Sequence, residues 1–259
     1  MILSILLGCQ NYGIIAADDN PSDDTDADTQ IEDDFSEWDG AWLEVITPQS
    51  GDFLPWDQES PFQAVVYLSD GTEADFQDVQ WSSSEDESWA LIGSDATDAN
   101  LEIGEHAITA LAELPNGDRL TYTMGGVLVQ HEDAGIYVGN VKVDVSINYD
   151  GSDYSAGCTG AVTIYVDAYG ESAYGDSTCT LSLLGYDQDT SYGFSLEVDE
   201  GDMYGAAAVD LSLFKYDFEM DGDVGEGTLS GSWSDDIFGY VGVAGDLSAT
   251  RISRSLGDE

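Results

Sequence analysis

The sequence predicts an all-β protein: a β-sandwich followed by an antiparallel β-meander that closes into a barrel or a second sandwich, behind a disordered acidic tether. Three observations predict it. Gly (29) and Tyr (14) are abundant, while long runs of helix formers are absent. Short apolar–polar alternations recur between turn signals at roughly ten-residue spacing, the pattern of half-buried strands. Hydrophobic residues make up 42% of the 259-residue chain, enough for packed cores, so wholesale disorder is excluded.

The chain opens on a short apolar run, Met1–Leu7, that ends in Gly8-Cys9. Leu6-Leu7-Gly8-Cys9 resembles the lipobox of bacterial lipoproteins, where a small residue precedes a cysteine that becomes the acylated mature N-terminus. The resemblance implies a signal segment over residues 1–9, lipidation of Cys9, export, and membrane contact through lipid. Gln10 is similar to the residue found there in lipoproteins sorted to an outer membrane. Each buried methylene contributes about 0.8 kcal/mol and a single acyl chain holds only marginally, so several chains on one sulfur make a stable anchor. No other apolar run approaches the ~20 residues needed to span a bilayer. The run is short against the about 7 to 15 residues of a signal peptide's apolar region and no Lys or Arg precedes it, which implies a true start upstream of Met1. A buried strand ending in Gly-Cys is the alternative.

The charge is extreme, with 53 acidic against 5 basic residues, a formal net charge of −48, and no Lys or Arg before Arg119. Such a surface repels nucleic acid and anionic headgroups, excluding both as direct partners. Screening acts over about 8 Å at physiological ionic strength and about 3 Å at molar salt, so dense carboxylates repel far less in brine. The composition is similar to that of proteins from salt-loving or marine bacteria; calcium, whose ligands are carboxylates and carbonyls, is the alternative. Residues 10–40 read as a linker: Asp18-Asp19-Asn20-Pro21-Ser22-Asp23-Asp24 and its continuation carry few apolar groups and no cation.

Residues 41–130 read as the first folded unit. Its strands are Leu43–Thr47, Pro61–Leu68, Val79–Ser84 with Trp81 inward, Glu105–Leu111 and Arg119–Val129. Asn116-Gly117 is the strongest hairpin signal, suited to a type I′ turn. Short strands, regular turns and a central Trp describe an immunoglobulin-like sandwich. Ile46-Thr47-Pro48, Trp81-Ser82-Ser83-Ser84 and Leu101-x-x-Gly104-x-His106-x-Ile108-Thr109, in that order, resemble bacterial Ig-like modules related to the PKD and cadherin-like groups. That resemblance implies a spacer or binding module and a structural His106 near the sheet edge. Glu85-Asp86-Glu87-Ser88 departs from the Asp-Gly those modules often carry.

After a short polar hinge at 131–134, residues 135–256 form the meander. Its expected strands are Ile136–Tyr149, Cys158–Val166, Ser172–Leu184, Ser191–Val198, Tyr204–Met220, Gly225–Trp233 and Tyr240–Ile252, with turns at Tyr149–Ser152 and Met220–Asp223. Closure would remove exposed edges. With Cys9 assigned to lipid, Cys158 and Cys179 remain as an even pair in an oxidising compartment. A four-residue loop Asp167–Gly170 sets Val166 opposite Glu171 and Cys158 opposite Cys179, within reach of a disulfide bordering the core. Buried free thiols are the alternative.

No catalytic signature is present: there is no Gly-x-Ser-x-Gly, no His-Glu-x-x-His and no phosphate loop. Among 53 acids some pair always meets the spacing for glycoside hydrolysis, so that signal carries little. Asp217, Glu219, Asp221 and Asp223 resemble the start of an EF-hand loop, a weak Ca²⁺ site; Thr228 stands where the closing Glu belongs, and a hairpin turn is the preferred reading. His131 is expected to be solvated. Gly239, Gly242 and Gly245 read as close packing in a strand, not nucleotide binding. Tyr165, Tyr169, Tyr174, Tyr186, Tyr192 and Tyr204 could bind sugars or protein partners, or serve as ordinary strand formers. The expectation is a surface-anchored, non-catalytic lipoprotein of the cell envelope that binds an extracellular protein or glycan. Alternatives are a carrier of a small apolar ligand inside the distal barrel and a carbohydrate-active enzyme.

Overall fold

The computed structural model describes residues 35–183, 185–210, 215–237 and 239–254. Cys9 and residues 10–34 of the expected tether lie outside the described residues. Folded structure begins earlier than residue 41. A 3-10 turn spans Ser36–Trp38, and Trp38 packs edge-on against Phe76 at 6.1 Å between ring centres. The tether's last residues therefore belong to the sandwich, because Trp38 has apolar surface to bury.

Eight strands build the sandwich: β1 (Trp42–Thr47), β2 (Phe53–Pro55), β3 (Ser60–Tyr67), β4 (Val79–Ser83), β5 (Ala90–Ile92), β6 (Asp95–Asp98), β7 (Gly104–Glu113) and β8 (Arg119–Gln130). One sheet runs β1-β3-β6, the other β2-β8-β7-β4-β5. Alternation along β1, β3 and β7 drives one face of each inward, so Val45, Phe62, Val66, Trp81, Ile108 and Met124 share one core. Trp81 is buried as expected and its indole N–H donates to the Gly93 carbonyl at 2.8 Å. The β7–β8 turn is not type I′: Leu114 N–H donates to Asp118 O, Gly117 N–H donates to Leu114 O, and only Gly117 takes positive φ, +89°. Pro115 explains this, since its ring fixes φ near −65° at the position where type I′ requires a positive value. The β1 edge is blunted by Gln49, whose amide donates to the Val45 and Ile46 carbonyls at 2.5 and 3.0 Å.

The second unit is a closed eight-stranded antiparallel barrel: β9 (Gly135–Tyr149), β10 (Ser152–Val166), β11 (Ser172–Leu183), β12 (Tyr186–Asp199), β13 (Asp202–Asp210), β14 (Lys215–Gly225), β15 (Thr228–Ile237) and β16 (Val241–Ser253). The single strand expected over Tyr204–Met220 is two strands, β13 and β14. The buried residues say why: Met203, Ala207 and Val209 are odd-numbered, whereas Phe218, Met220 and Val224 are even. That change of phase breaks a single strand, and the two halves pair antiparallel, with Asp210 opposite Lys215. The turn expected at Met220–Asp223 lies inside β14 instead. Its place is taken by Glu226-Gly227, with φ of +50° and +74°, a two-residue loop like Asp150-Gly151 at +51° and +72°.

The barrel wall is apolar inside and polar outside. Val143, Ile164, Phe194, Met220, Trp233 and Leu247 face in; Asp144, Thr180, Asp189, Glu219, Ser232 and Asp246 face out. Membrane-spanning barrels show the inverse pattern, with an outward apolar band. Small and large residues interlock within: a Cβ on Gly245 would lie 2.0 Å from the Trp233 ring, and one on Gly231 would lie 2.2 Å from Met220 Cε.

Two ladders are short. β10–β11 pairs only Val162–Val166 with Ala173–Ser177, and β14–β15 only Met220–Gly225 with Thr228–Trp233. Beyond them, toward the hairpins farthest from the sandwich, the strands part into two four-stranded leaves, β15-β16-β9-β10 and β11-β12-β13-β14. The first seam is crossed by the Cys158–Cys179 disulfide, with Cα atoms 5.8 Å apart, the second by Tyr216 Oη donating to Asp235 at 2.6 Å. The expected pairing is met, but by a different register. Val166 opposes Ala173, not Glu171, because Asp167 caps the loop: its carboxylate accepts from Glu171 N–H at 2.9 Å and Ser172 Oγ at 2.7 Å. A straight ladder would then carry Cys158 past Cys179. Ser177 Oγ donates to the Ala161 carbonyl where the ladder stops, and the change of course brings the sulfurs together.

Residues 131–134, expected as a short hinge, form a hydrogen-bonded turn. His131 N–H donates to the Ala168 carbonyl at 2.9 Å and Ala134 N–H to the His131 carbonyl at 3.1 Å. Both C-terminal arginines close on the same turn: Arg251 and Arg254 donate to the Glu132 carbonyl, and Arg254 lies 3.8 Å over the Phe53 ring. Gln130 donates to the Arg254 carbonyl at 2.8 Å, fastening the barrel's last strand to the sandwich's last strand.

Candidate functional site

The sequence-predicted residues do not converge on one site. Asp217, Glu219, Asp221 and Asp223 alternate with the buried residues of β14 and form one outward row on an extended strand. A strand cannot curl its successive carboxylates around one ion, so the EF-hand resemblance is local in sequence only. Among the described residues no three His, Cys, Asp or Glu side chains are grouped to hold a metal.

His106 is structural, as expected, but it sits on β7 in the middle of the five-stranded sheet rather than near its edge. Both ring nitrogens are engaged: Nδ1 with Ser83 Oγ at 2.6 Å and Nε2 with the Glu102 carbonyl at 2.8 Å. Ser83→Ala leaves that buried nitrogen unpaired and is expected to cost about 1–3 kcal/mol, read from urea unfolding. His131 is half-buried rather than solvated. Its Nδ1 accepts from Asp133 N–H at 3.2 Å, and a Cβ on Gly170 would fall 2.3 Å from it.

Asp133, in the same turn, is buried, and that burial pushes its carboxyl pKa up. The Glu132 charge adds to the rise, while the nearby Arg251 and Arg254 charges pull the other way without prevailing. A raised folded-state value means that stability is fully present below the ordinary carboxylate pKa. It is lost as pH rises through the raised one. Asp133→Asn therefore flattens the stability–pH curve over that window and keeps the variant at least as stable as the parent above it. Urea midpoints measured from about pH 3 to 7 bracket the ordinary carboxylate range and check this.

The tyrosines divide. Tyr192 is core, its Oη 3.7 Å from both cysteine sulfurs. Tyr169 packs edge-on against Trp56 of the sandwich. Tyr165 and Tyr174, opposed on β10 and β11, stack on the outer wall with ring centres 5.3 Å apart; Tyr204 and Tyr186 are exposed. Tyr149, Tyr186 and Tyr240 stand at three hairpins of the far end.

A second stacked pair lies on the sandwich, at a position the sequence reading passed over. Trp42 opposes Tyr67 with ring centres 5.3 Å apart and planes 20° apart, and Trp42 is 43% exposed. The signal was available, since Trp42 alternates with Leu43 and Val45 and must therefore point out. Beside the pair runs a groove of about 730 Å³ on the outer face of β1-β3-β6, lined by Ile46, Gln63, Val65, Glu73, Asp75 and Asp95 among others.

No family model and no curated protein matches this chain. The site must be read from its own chemistry. What the surfaces offer is aromatic faces and carboxylate or amide acceptors on rigid sheets. These are means of holding a partner.

Proposed function

We propose that the chain is a non-catalytic binding module of a bacterial cell envelope, anchored through lipid on Cys9 and displayed by an acidic tether, with an extracellular protein or glycan as partner. One observation carries the binding part: the barrel interior is occupied by its own side chains, Tyr192, Phe194, Phe218, Met220 and Trp233 among them, while exposed aromatics lie on outer faces. A carrier would need an apolar cavity for its cargo, and the filled interior speaks against that alternative. The outward polar wall favours attachment by lipid over insertion of the barrel. Asp133, whose burial raises its carboxyl pKa, lies in the inter-unit turn beside two arginines and lines neither the groove near Trp42 nor those on the barrel wall.

Two measurements test the proposal. Mass spectrometry of the native N-terminus is expected to find an acylated Cys9; an unmodified Met1 would remove the anchor. Incubation with glycan and peptide panels is expected to give retention without turnover; product release would convert the module into an enzyme.

A further inference from the structure

The groove beside Trp42 points to one kind of occupant, and naming it rests on the binding-module reading above. The outer face of β1-β3-β6 is a small grid. Trp42, Tyr67 and Glu73 form one row, since Trp42 opposes Tyr67 and Tyr67 bridges to Glu73. Glu44 and Val65 oppose each other in the next row, and Ile46, Gln63 and Asp95 close the far end. Val65 and Ile46 give an apolar floor; Glu73, Asp75 and Asp95 give a carboxylate rim, and Glu44 stands on the same face opposite Val65.

That rim has no internal counter-charge. Residues 35–118 hold 19 Asp and Glu and no Lys or Arg. Among the described residues no salt bridge reaches any of the four; the nearest cation in sequence, Arg119, pairs with Glu113 at 2.5 Å. Asp95 accepts one amide N–H, from Gln63 at 2.9 Å; covering the four carboxylates with a neutral or anionic surface would strip the rest of their water without replacing it. A guanidinium replaces it, with donors in a planar fork that fits a carboxylate and a flat face that stacks on Trp.

We propose that this face docks an arginine-rich, extended segment of a partner protein, with one guanidinium on the Trp42–Tyr67 platform and others against Glu44, Asp75 and Asp95. Contact pairs of this kind form at or below the screening length of about 3 Å in molar salt, so the groove functions in brine, where diffuse attraction to the rest of the acidic surface is lost. That difference separates a site from a merely negative protein.

The test uses the full-length chain and a fluorescent nine-arginine peptide, with the nine-lysine peptide and neutral hexasaccharides (cello-, xylo- and laminari-) as comparisons, at low and molar sodium chloride. The arginine peptide is expected to keep measurable affinity in molar salt and to exceed the lysine peptide there. Trp42→Ala is expected to weaken it about tenfold, with Glu44→Gln plus Asp75→Asn doing the same, while Asp217→Asn plus Glu219→Gln on the barrel wall leaves it unchanged. Unaltered melting curves confirm that the variants fold; the charge-removing pair carries the test if Trp42→Ala does not. Equal loss for groove and barrel-wall variants, or disappearance of all binding in molar salt, overturns the groove and leaves only diffuse charge. A hexasaccharide that binds through Trp42 while the arginine peptide does not overturns the occupant but keeps the binding module. Turnover of a saccharide overturns the module itself.

Discussion

Trp233→Ala is expected to lower stability by about 3–5 kcal/mol, the range for emptying a large aromatic site in a packed core. Trp233 is the barrel's central plug. It lies against Gly245, is tilted 6.5 Å from Tyr192 and meets Phe194 edge-on at 5.7 Å. Gly245 leaves room for the ring, since a Cβ there would lie 2.0 Å from it, so the alanine change opens a cavity that glycine backbone cannot fill. The conservative change separates volume from polarity. Trp233 Nε1 is buried and without a hydrogen-bond partner among the described residues. Trp233→Phe removes that unsatisfied donor while keeping most of the ring, and is expected to cost less than half as much as the alanine change. Urea unfolding followed by far-UV circular dichroism, with parent and both variants at one pH, checks the order. An alanine variant as stable as the parent would mean that the interior is not held by this plug.

The second large effect is loss of the disulfide. Cys158 and Cys179 are 21 residues apart, and closing such a loop contributes roughly 3 kcal/mol in the chain-entropy model. Here the bond also spans a seam where the β10–β11 ladder has already ended. Cys158→Ala plus Cys179→Ala should therefore destabilise the whole barrel and, beyond that, loosen the far half selectively. Hydrogen exchange is the measurement that distinguishes the two. Amides of β10 before Cys158 and of β11 after Cys179 are expected to exchange faster, while those of Val162–Val166 track global unfolding. Uniform acceleration along both strands would show that the seam is closed by backbone pairing after all.

The strand inventory was largely legible because alternation is a strong signal where one face is buried and the other wet. The errors fall where two local signals competed. Asp221-Gly222 looks like a turn, yet Phe218, Met220 and Val224 alternate straight through it, and Gly222 is small because β15 passes close: a Cβ there would meet the Ser230 carbonyl at 2.2 Å. The split of Tyr204–Met220 was readable from the odd-to-even switch of its apolar residues and was missed by following the run alone. The cysteine pairing was reached through a register two residues out. Chain order cannot reveal that Asp167 would cap its own loop or that Ser177 would end the ladder. Of the candidate site, the barrel tyrosines were visible individually, but inward Tyr192 and outward Tyr174 differ only in phase. Trp42 could be read as an outward residue from its alternation, but its pairing with Tyr67 could not, because it joins residues 25 apart across two strands. Its groove is completed by the segment 73–77, which no periodicity announces.

The return of the last strand to the turn at 131–134 has a mechanical consequence. The barrel is entered at Gly135 and left at Arg254, and both ends are lashed to one spot by Arg251, Arg254 and Gln130. A pull on the barrel is thus shared between the entry and exit strands instead of peeling one away.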